Sequence, residues 1–171
     1  MYGAILGDII GSPFEFDRGN KSKEFELFSP GCGFTDDTVI TIAVAEALMK
    51  NKDTLDEDKI KNALVESMQT WGRKYPWAGY GQKFFRWLGM WLLLENPEPY
   101  NSCGNGSAMR VAAAGWMADT LEETRRLARL SAEVTHNHPE EIKGAEATAA
   151  AIFMARNGSA KEEIKRYIIE E

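Results

Sequence analysis

Phe34-Thr35-Asp36-Asp37-Thr38-Val39-Ile40-Thr41-Ile42-Ala43-Val44-Ala45-Glu46-Ala47-Leu48-Met49-Lys50 is the stretch on which the fold turns. A hydroxyl, two adjacent carboxylates and a second hydroxyl stand where a polar turn gives way to a run that is apolar on almost every side. A helix apolar all round is a buried helix, so Asp37 to Lys50 is expected inside the core. The same junction gathers oxygen donors. Hard cations such as Mg²⁺ or Mn²⁺ take oxygen ligands, and Thr35, Asp36, Asp37 and Thr38 offer them within one turn of chain. The residues also suit plainer chemistry: Thr35 or Asp36 can cap the helix, with the next carboxylate favoured at its positive end. Both readings stay open on this cluster alone.

Outward from it the pattern is helical nearly throughout. Tyr2 to Ile10 reads as a short helix with Gly3, Gly7 and Gly11 spaced by four. That spacing leaves a bare stripe where another backbone can approach, which predicts a central buried helix. Ser12 to Gly33 reads as a loop broken by Pro13, Gly19, Asn20 and Pro30, with a short extended piece over Lys23 to Phe28. Leu55 to Lys74 is amphipathic, with Ile60, Ala63, Leu64, Met68 and Trp71 on one face. After a loop over Tyr75 to Gly81, Gln82 to Glu95 is expected to be a helix whose Phe84, Phe85, Trp87 and Trp91 join the core. Asn96 to Gly106 is a loop, and Ser107 to Ala118 a small-residue helix.

Thr120-Leu121-Glu122-Glu123 and Ser159-Ala160-Lys161-Glu162 each read as a capping box opening a helix. Pro139 suits a first helical position and Gly158 a helix end. The final helix places Ile164, Tyr167 and Ile168 on one face and stops at Ile168-Ile169-Glu170-Glu171 without a C-cap signal. An unfinished last helix exposes apolar surface that favours self-association. No strand alternation is visible, so the chain is expected to be all-α, one domain over residues 1–171.

Bulk composition narrows the function. The chain has 171 residues, 44% hydrophobic and 27% charged, ordinary values for one soluble domain. A net charge of −6 argues against general nucleic-acid binding, which needs a basic surface. Cys32 and Cys103 lack metal-type spacing and read as free thiols in a reducing compartment. The N-terminus has no basic region, and Asp8 interrupts its apolar run, so neither a signal peptide nor a membrane span is expected. The expected location is the cytoplasm.

Three further segments carry chemistry. Glu15 lies between Phe14 and Phe16; a carboxyl in apolar surroundings holds its proton more tightly, which suits a general acid or base, although a solvated loop glutamate fits as well. In Ser102-Cys103-Gly104-Asn105-Gly106-Ser107-Ala108-Met109-Arg110 a Gly-Asn-Gly-Ser turn feeds toward a helix, and successive amides there suit an anion. It is neither a Walker loop nor a dinucleotide fingerprint, and Ser107 can also be an ordinary cap. Thr135-His136-Asn137-His138-Pro139 holds both histidines; no third soft ligand is near enough in sequence for zinc, so His136 reads as a donor to a ligand or as part of a helix-start turn.

Taken together, Gly3-Ala4-Ile5-Leu6-Gly7-Asp8, Phe34-Thr35-Asp36-Asp37-Thr38, Asn105-Gly106-Ser107-Ala108-Met109-Arg110 and Thr135-His136 resemble the ADP-ribosylglycohydrolase family, relatives of dinitrogenase reductase-activating glycohydrolase, over essentially the whole chain. The resemblance implies an all-α, orthogonally packed fold with a binuclear Mg²⁺ or Mn²⁺ centre. It implies hydrolysis of the glycosidic bond joining ADP-ribose to a protein side chain or small molecule. By that analogy Thr35, Asp36 and Asp37 are metal ligands, and Glu15 and Asp37 are the catalytic carboxylates. Asn105, Gly106 and Ser107 hold the diphosphate, His136 lies near the ligand, and the loop Trp77-Ala78-Gly79-Tyr80-Gly81 faces the substrate and brings Tyr80 to it. The implied partners are ADP-ribose or an ADP-ribosylated substrate, with no membrane.

One departure stands out. Family members run longer and carry a second acidic motif, Asp-x-Asp-Thr, near their C-terminus, whereas no aspartate follows Asp119 here. The chain is therefore read as the N-terminal part of the fold, C-terminally incomplete, with a companion chain as a source of the missing acids. The alternatives are a non-catalytic ADP-ribose-binding or structural protein of the same fold, and a metal-dependent phosphoester hydrolase.

Overall fold

The apolar run after Thr35 forms the expected helix, Asp36–Lys50, in the computed structural model, which describes residues 1–15, 22–89 and 97–170. Around it lie α1 (Tyr2–Gly11), a 3₁₀ turn (Ser12–Phe14), α2 (the Asp36–Lys50 helix), α3 (Glu57–Lys74), α4 (Gln82–Trp87), α5 (Ala112–Met117), α6 (Leu121–Glu133), α7 (Pro139–Arg156) and α8 (Lys161–Glu170). No strand occurs among the described residues, so the all-α expectation holds.

Local chemistry explains the starts. Asp56 caps α3 by accepting from Lys59 N at 3.1 Å, and Thr120 caps α6 by accepting from Glu123 N at 3.1 Å. His138 caps α7 by accepting from Glu140 N at 3.2 Å, with Pro139 at the head of the helix, where its missing N–H is not needed. Gly158 ends the same helix at φ +85°, a conformation that glycine adopts without strain.

The packing is centred on α2, which touches α1, α3 and α5. Its Val39, Ile40, Ala43, Val44, Ala47 and Leu48 are buried, and each of the larger ones contributes about 1.5–3 kcal/mol when fully removed from water. Ile60, Leu64 and Met68 of α3 answer them as the amphipathic pattern requires, with Ala63 and Trp71 half-buried at the margin. A second layer forms where α7 packs on α5 and α6, and ion pairs tie α3 to α6 through Lys61–Glu133 at 2.6 Å and Arg129–Glu57 at 2.8 Å.

Several expectations need correction. The glycine-striped helix α1 is not central: none of its residues is buried and Tyr2 is 86% exposed. Side chains added at Gly3, Gly7 or Gly11 would meet nothing within 4 Å. Small residues permit close approach without enforcing it. The helix expected over Ser107 to Ala118 starts only at Ala112, because residues 105–111 form consecutive turns. The helix from Gln82 ends at Trp87, with Gly89 at φ +71°; Phe84 and Trp87 are core as expected, and the remainder of that segment, Trp91 included, lies outside the described residues. Lys23 to Phe28 is irregular and turns at its end. The second capping box is displaced by one residue: Glu163, not Glu162, accepts, from Ala160 N at 2.8 Å. The last helix touches α7 through a shallow face, with Ile169 72% exposed. Cys32 and Cys103 are free thiols.

The close α5–α7 crossing depends on one missing side chain. A Cβ at Gly115 would lie 2.7 Å from Ile152 Cβ and 2.8 Å from the Ala149 carbonyl oxygen. Gly115→Val should therefore cost about 1–3 kcal/mol by overpacking and lower the melting temperature by several degrees, whereas Gly3→Ala in the open stripe should be neutral or stabilising. Thermal denaturation followed by circular dichroism checks both; an unchanged melting point for Gly115→Val would show that the helices do not meet there.

Candidate active site

The site begins with a carboxylate on one helix holding the start of another. Asp8 of α1 accepts from Thr35 N at 2.8 Å and Thr35 Oγ1 at 2.6 Å, and from Thr38 N at 3.1 Å and Thr38 Oγ1 at 2.5 Å. The first amides of a helix have no partner within it, and they carry its positive end; an acidic side chain from outside answers both needs. Thr35 is the N-cap of α2, accepting from Asp37 N at 3.3 Å. Its hydroxyl proton is thus committed to Asp8. The capping function of Thr35 is real, and Thr35 itself lines neither of the site's two cavities.

Asp8, Glu15, Asp36 and Asp37 line one cavity of about 510 Å³. Burial pushes the Asp36 carboxyl up to about 7, and the neighbouring Asp37, Glu15 and Asp8 add to the effect. Asp37 is raised as well, by burial first and then by Asp8 and Glu15. Neither aspartate pairs with a lysine or arginine among the described residues. The cavity therefore concentrates acidic groups that no lysine or arginine among the described residues pairs with. Its donors are all oxygen, the set a hard cation prefers. Among the described residues no group of three His, Cys, Asp or Glu side chains is placed to hold a metal ion; what the cavity offers is the neighbouring carboxylates of Asp36 and Asp37.

Glu15 follows the 3₁₀ turn, which its N–H closes on Ser12 O at 3.4 Å. It is exposed at the cavity mouth rather than enclosed by apolar side chains: Phe14 turns away to stack edge-on with Phe25 at 5.1 Å, and Phe16 lies outside the described residues.

A second cavity, of about 330 Å³, adjoins the first, sharing Asp36, Gly81, Asn105 and Met109 in its lining. Its walls include Tyr100, His136 and the turn Gly104-Asn105-Gly106. The Tyr100 and His136 rings meet edge to face at 5.5 Å, and burial raises the Tyr100 hydroxyl to about 12, so it stays protonated. His136 is held down to about 4 by burial and by Arg110, so the ring is neutral near pH 7. Only glycine fits opposite it, since a Cβ at Gly106 would lie 2.7 Å from His136 Nε2.

Not every expected residue faces this space. Ser107 is buried, lines neither cavity and donates to Glu141 O at 3.0 Å, tying the turn to α7. With α5 starting later, no helix N-terminus stands at Ser107; any anion held here relies on turn amides. Tyr80 also lines neither cavity: its hydroxyl donates to Tyr75 O at 3.1 Å and its ring lies 5.8 Å from Phe84. Its neighbours Gly79 and Gly81 do line the acidic cavity, and a Cβ added at Gly79, whose φ is +100°, would lie 3.8 Å from Asp36 Oδ1. Asp8, Tyr100 and Arg110 were not singled out by sequence. The one available signal was an acid set in the apolar run Ile5-Leu6-Gly7-Asp8-Ile9-Ile10.

The raised Asp36 carboxyl has a stability consequence. Its folded value, about 7, exceeds the ordinary 3.8, so the folded state prefers the protonated acid, and stability is lost as pH rises through that window. In chelator, Asp36→Asn should melt about 2–4 °C above the parent at pH 8, the screened equivalent of roughly 1 kcal/mol, with no advantage at pH 4. A lower melting point for the variant at pH 8 would show that the charge is not destabilising.

Comparison with known proteins gives the family. The family model for ADP-ribosylglycohydrolases matches residues 1–171. The chain is 30% identical to ADP-ribosylhydrolase ARH3 of Homo sapiens over 95% of its own length and 50% of that protein. Against the same protein of Mus musculus the identity is 29%, with equal coverage. It is 26% identical to the uncharacterized protein YegU of Escherichia coli (strain K12), over 92% of this chain and 53% of that one. The chain thus spans about half the length of the curated relatives it matches. With the match running from end to end, the chain belongs to the ADP-ribosylglycohydrolase family.

Proposed function

We propose that this chain takes part in metal-dependent hydrolysis of the glycosidic bond between ADP-ribose and a protein side chain or small molecule. The observation that carries the reading is the junction of two cavities: an acidic one opening on Glu15, Asp36 and Asp37, and an aromatic one opening on Tyr100, His136 and the Asn105-Gly106 turn. A ribose at the acids and an ADP moiety along the second cavity use both chemistries at once.

The residues divide the work by position. Thr35, Asp36 and Asp37 would hold Mg²⁺ or Mn²⁺, which supplies a fixed positive charge to orient ribose hydroxyls and lower the pKa of water. Asp8 keeps Thr35 and the start of α2 in place through its hydrogen bonds. Glu15, exposed at the mouth, is placed to exchange a proton with water or with the departing group as the sugar develops oxocarbenium character. Asp37, in the lining of the same cavity, is the second carboxylate able to take up that proton. The amides of Asn105 and Gly106 and the ring of His136 bind rather than react.

A second reading, ADP-ribose binding without turnover, is favoured by one observation: the described acids alone do not close around an ion. Both readings predict a ligand, and the first adds that further acids come from a companion segment or second chain.

Calorimetric titration with ADP-ribose, with and without Mg²⁺ or Mn²⁺, tests the shared part. Metal-dependent binding is expected, together with at least about tenfold weakening in Asp36→Asn/Asp37→Asn. Metal-independent binding of equal strength in that variant would remove the metal assignment. Release of intact ADP-ribose from a modified substrate then separates turnover from binding; in a turnover-competent assembly Glu15→Gln should lower kcat about 10²–10⁴-fold, and release of AMP or phosphate instead would point to phosphoester chemistry.

A further inference from the structure

Arg110 is a fully buried guanidinium without an acid to pair it among the described residues. Burial alone brings it down to about 10, far above neutrality, so the charge persists. Its hydrogen bonds all run toward the end of α6. Nε donates to Ser131 Oγ at 3.3 Å, and Nη2 donates to the Ser131 carbonyl and to Thr135 Oγ1, the latter at 2.7 Å. Thr135 Oγ1 in turn lies 2.7 Å from His136 Nδ1.

The direction of that last bond follows from the first. Thr135 is fully buried, and its oxygen already receives a proton from a cation. Its own O–H then has one acceptor in reach among the described residues, His136 Nδ1. A guanidinium at the oxygen also polarises the hydroxyl, strengthening it as a donor. With Nδ1 accepting, the neutral ring carries its proton on Nε2. Nε2 has no partner among the described residues, and His136 lines the aromatic cavity opposite Gly106.

We infer that Arg110 and Thr135 are positioning residues, which lock His136 as the neutral Nε2–H tautomer and aim that N–H into the aromatic cavity as a donor to an oxygen of the bound ligand. The arrangement places a permanent positive charge behind an uncharged donor. An anionic ligand gains from the field of Arg110, while the imidazole contributes a directed bond and no proton of its own. The tautomer assignment stands on the hydrogen-bond chain; its service to a ligand rests on the ADP-ribose reading.

Long-range ¹H–¹⁵N NMR of the labelled 171-residue chain reads the tautomer directly, with the His136 signals identified by their loss in His136→Asn. The parent is expected to show a protonated Nε2 and an unprotonated Nδ1. Thr135→Val should bring a substantial Nδ1–H population and weaken ADP-ribose binding about five- to tenfold, while Thr135→Ser, which keeps the hydroxyl, should restore both. A parent ring protonated on Nδ1 overturns the inference without recourse to any variant, as does a folded Thr135→Val that keeps the parental tautomer. A parental Nε2–H tautomer that shifts in Thr135→Val, in a chain that binds no ADP-ribose, upholds the relay and overturns the functional reading instead.

Discussion

The carboxylate of Asp8 at the start of α2 is the contact on which the candidate site depends. It is the hydrogen-bonded link between α1 and the N-terminal turn of α2, and it acts on the residues that bring Asp36 and Asp37 into the cavity. α1 buries none of its own side chains, so hydrophobic packing contributes little to its place. Hydrogen bonds to a charged group contribute more than neutral ones, and here they converge on one end of one helix. The cost is electrostatic. Drawing Asp8 to the helix start adds another negative charge beside Asp36 and Asp37, which burial already disfavours. The same contact that builds the site thus loads it with charge, a condition that a cation relieves and a neutral ligand does not.

The second cavity solves the opposite problem. An anionic ligand needs positive potential, and Lys83 and Arg110 both stand in the lining of this cavity. Arg110 is fully buried and held by Ser131 and Thr135, with the neutral imidazole of His136 beside it. A buried charge is costly when unpaired; hydrogen bonds to a carbonyl and two hydroxyls reduce that cost without cancelling the charge. The two cavities meet at Asp36 and Asn105, so a ligand spanning both passes from a field of one sign to a field of the other.

How much of this was legible in the sequence follows from the range of the interactions. Helix α2, the face of α3, the N-cap at Thr120, the helix start at Pro139 and the stop at Gly158 are local or periodic features, and they were read correctly, although the Glu123 carboxylate pairs with Arg126 instead of closing a capping box. Thr35 was read as either a cap or a ligand; its cap is made, and its hydroxyl proton goes to Asp8. The errors lie where outcome depends on partners distant in sequence. The glycine stripe of α1 predicts close packing only if something packs there. Ser107 in a Gly-Asn-Gly-Ser turn looks like a ligand-facing residue until Glu141, distant in sequence, takes its hydroxyl. Tyr80 is drawn off in the same way by Tyr75. Arg110 could not have been singled out, since nothing in Met109-Arg110-Val111 announces a guanidinium with no exposed surface.

These misses share a direction. Residues whose side chains turned inward, Ser107, Tyr80 and Arg110, are the ones that hold the loops and the ring in place. Those that line the cavities, Glu15, Asp36, Asp37, Asn105 and the buried His136, are the ones able to meet a ligand. A motif therefore mixes contact and support at adjacent positions, and chemistry-bearing residue types alone do not sort them. The sorting comes from which hydrogen-bond capacity remains after the fold has used what it needs. On that accounting the free capacity is concentrated at the carboxylates, the Asn105-Gly106 turn and His136 Nε2, all of which border one continuous space. An incidental cluster of polar residues would have no reason to leave its unused donors and acceptors facing the same volume, and this is the structural argument for treating the space as a binding site.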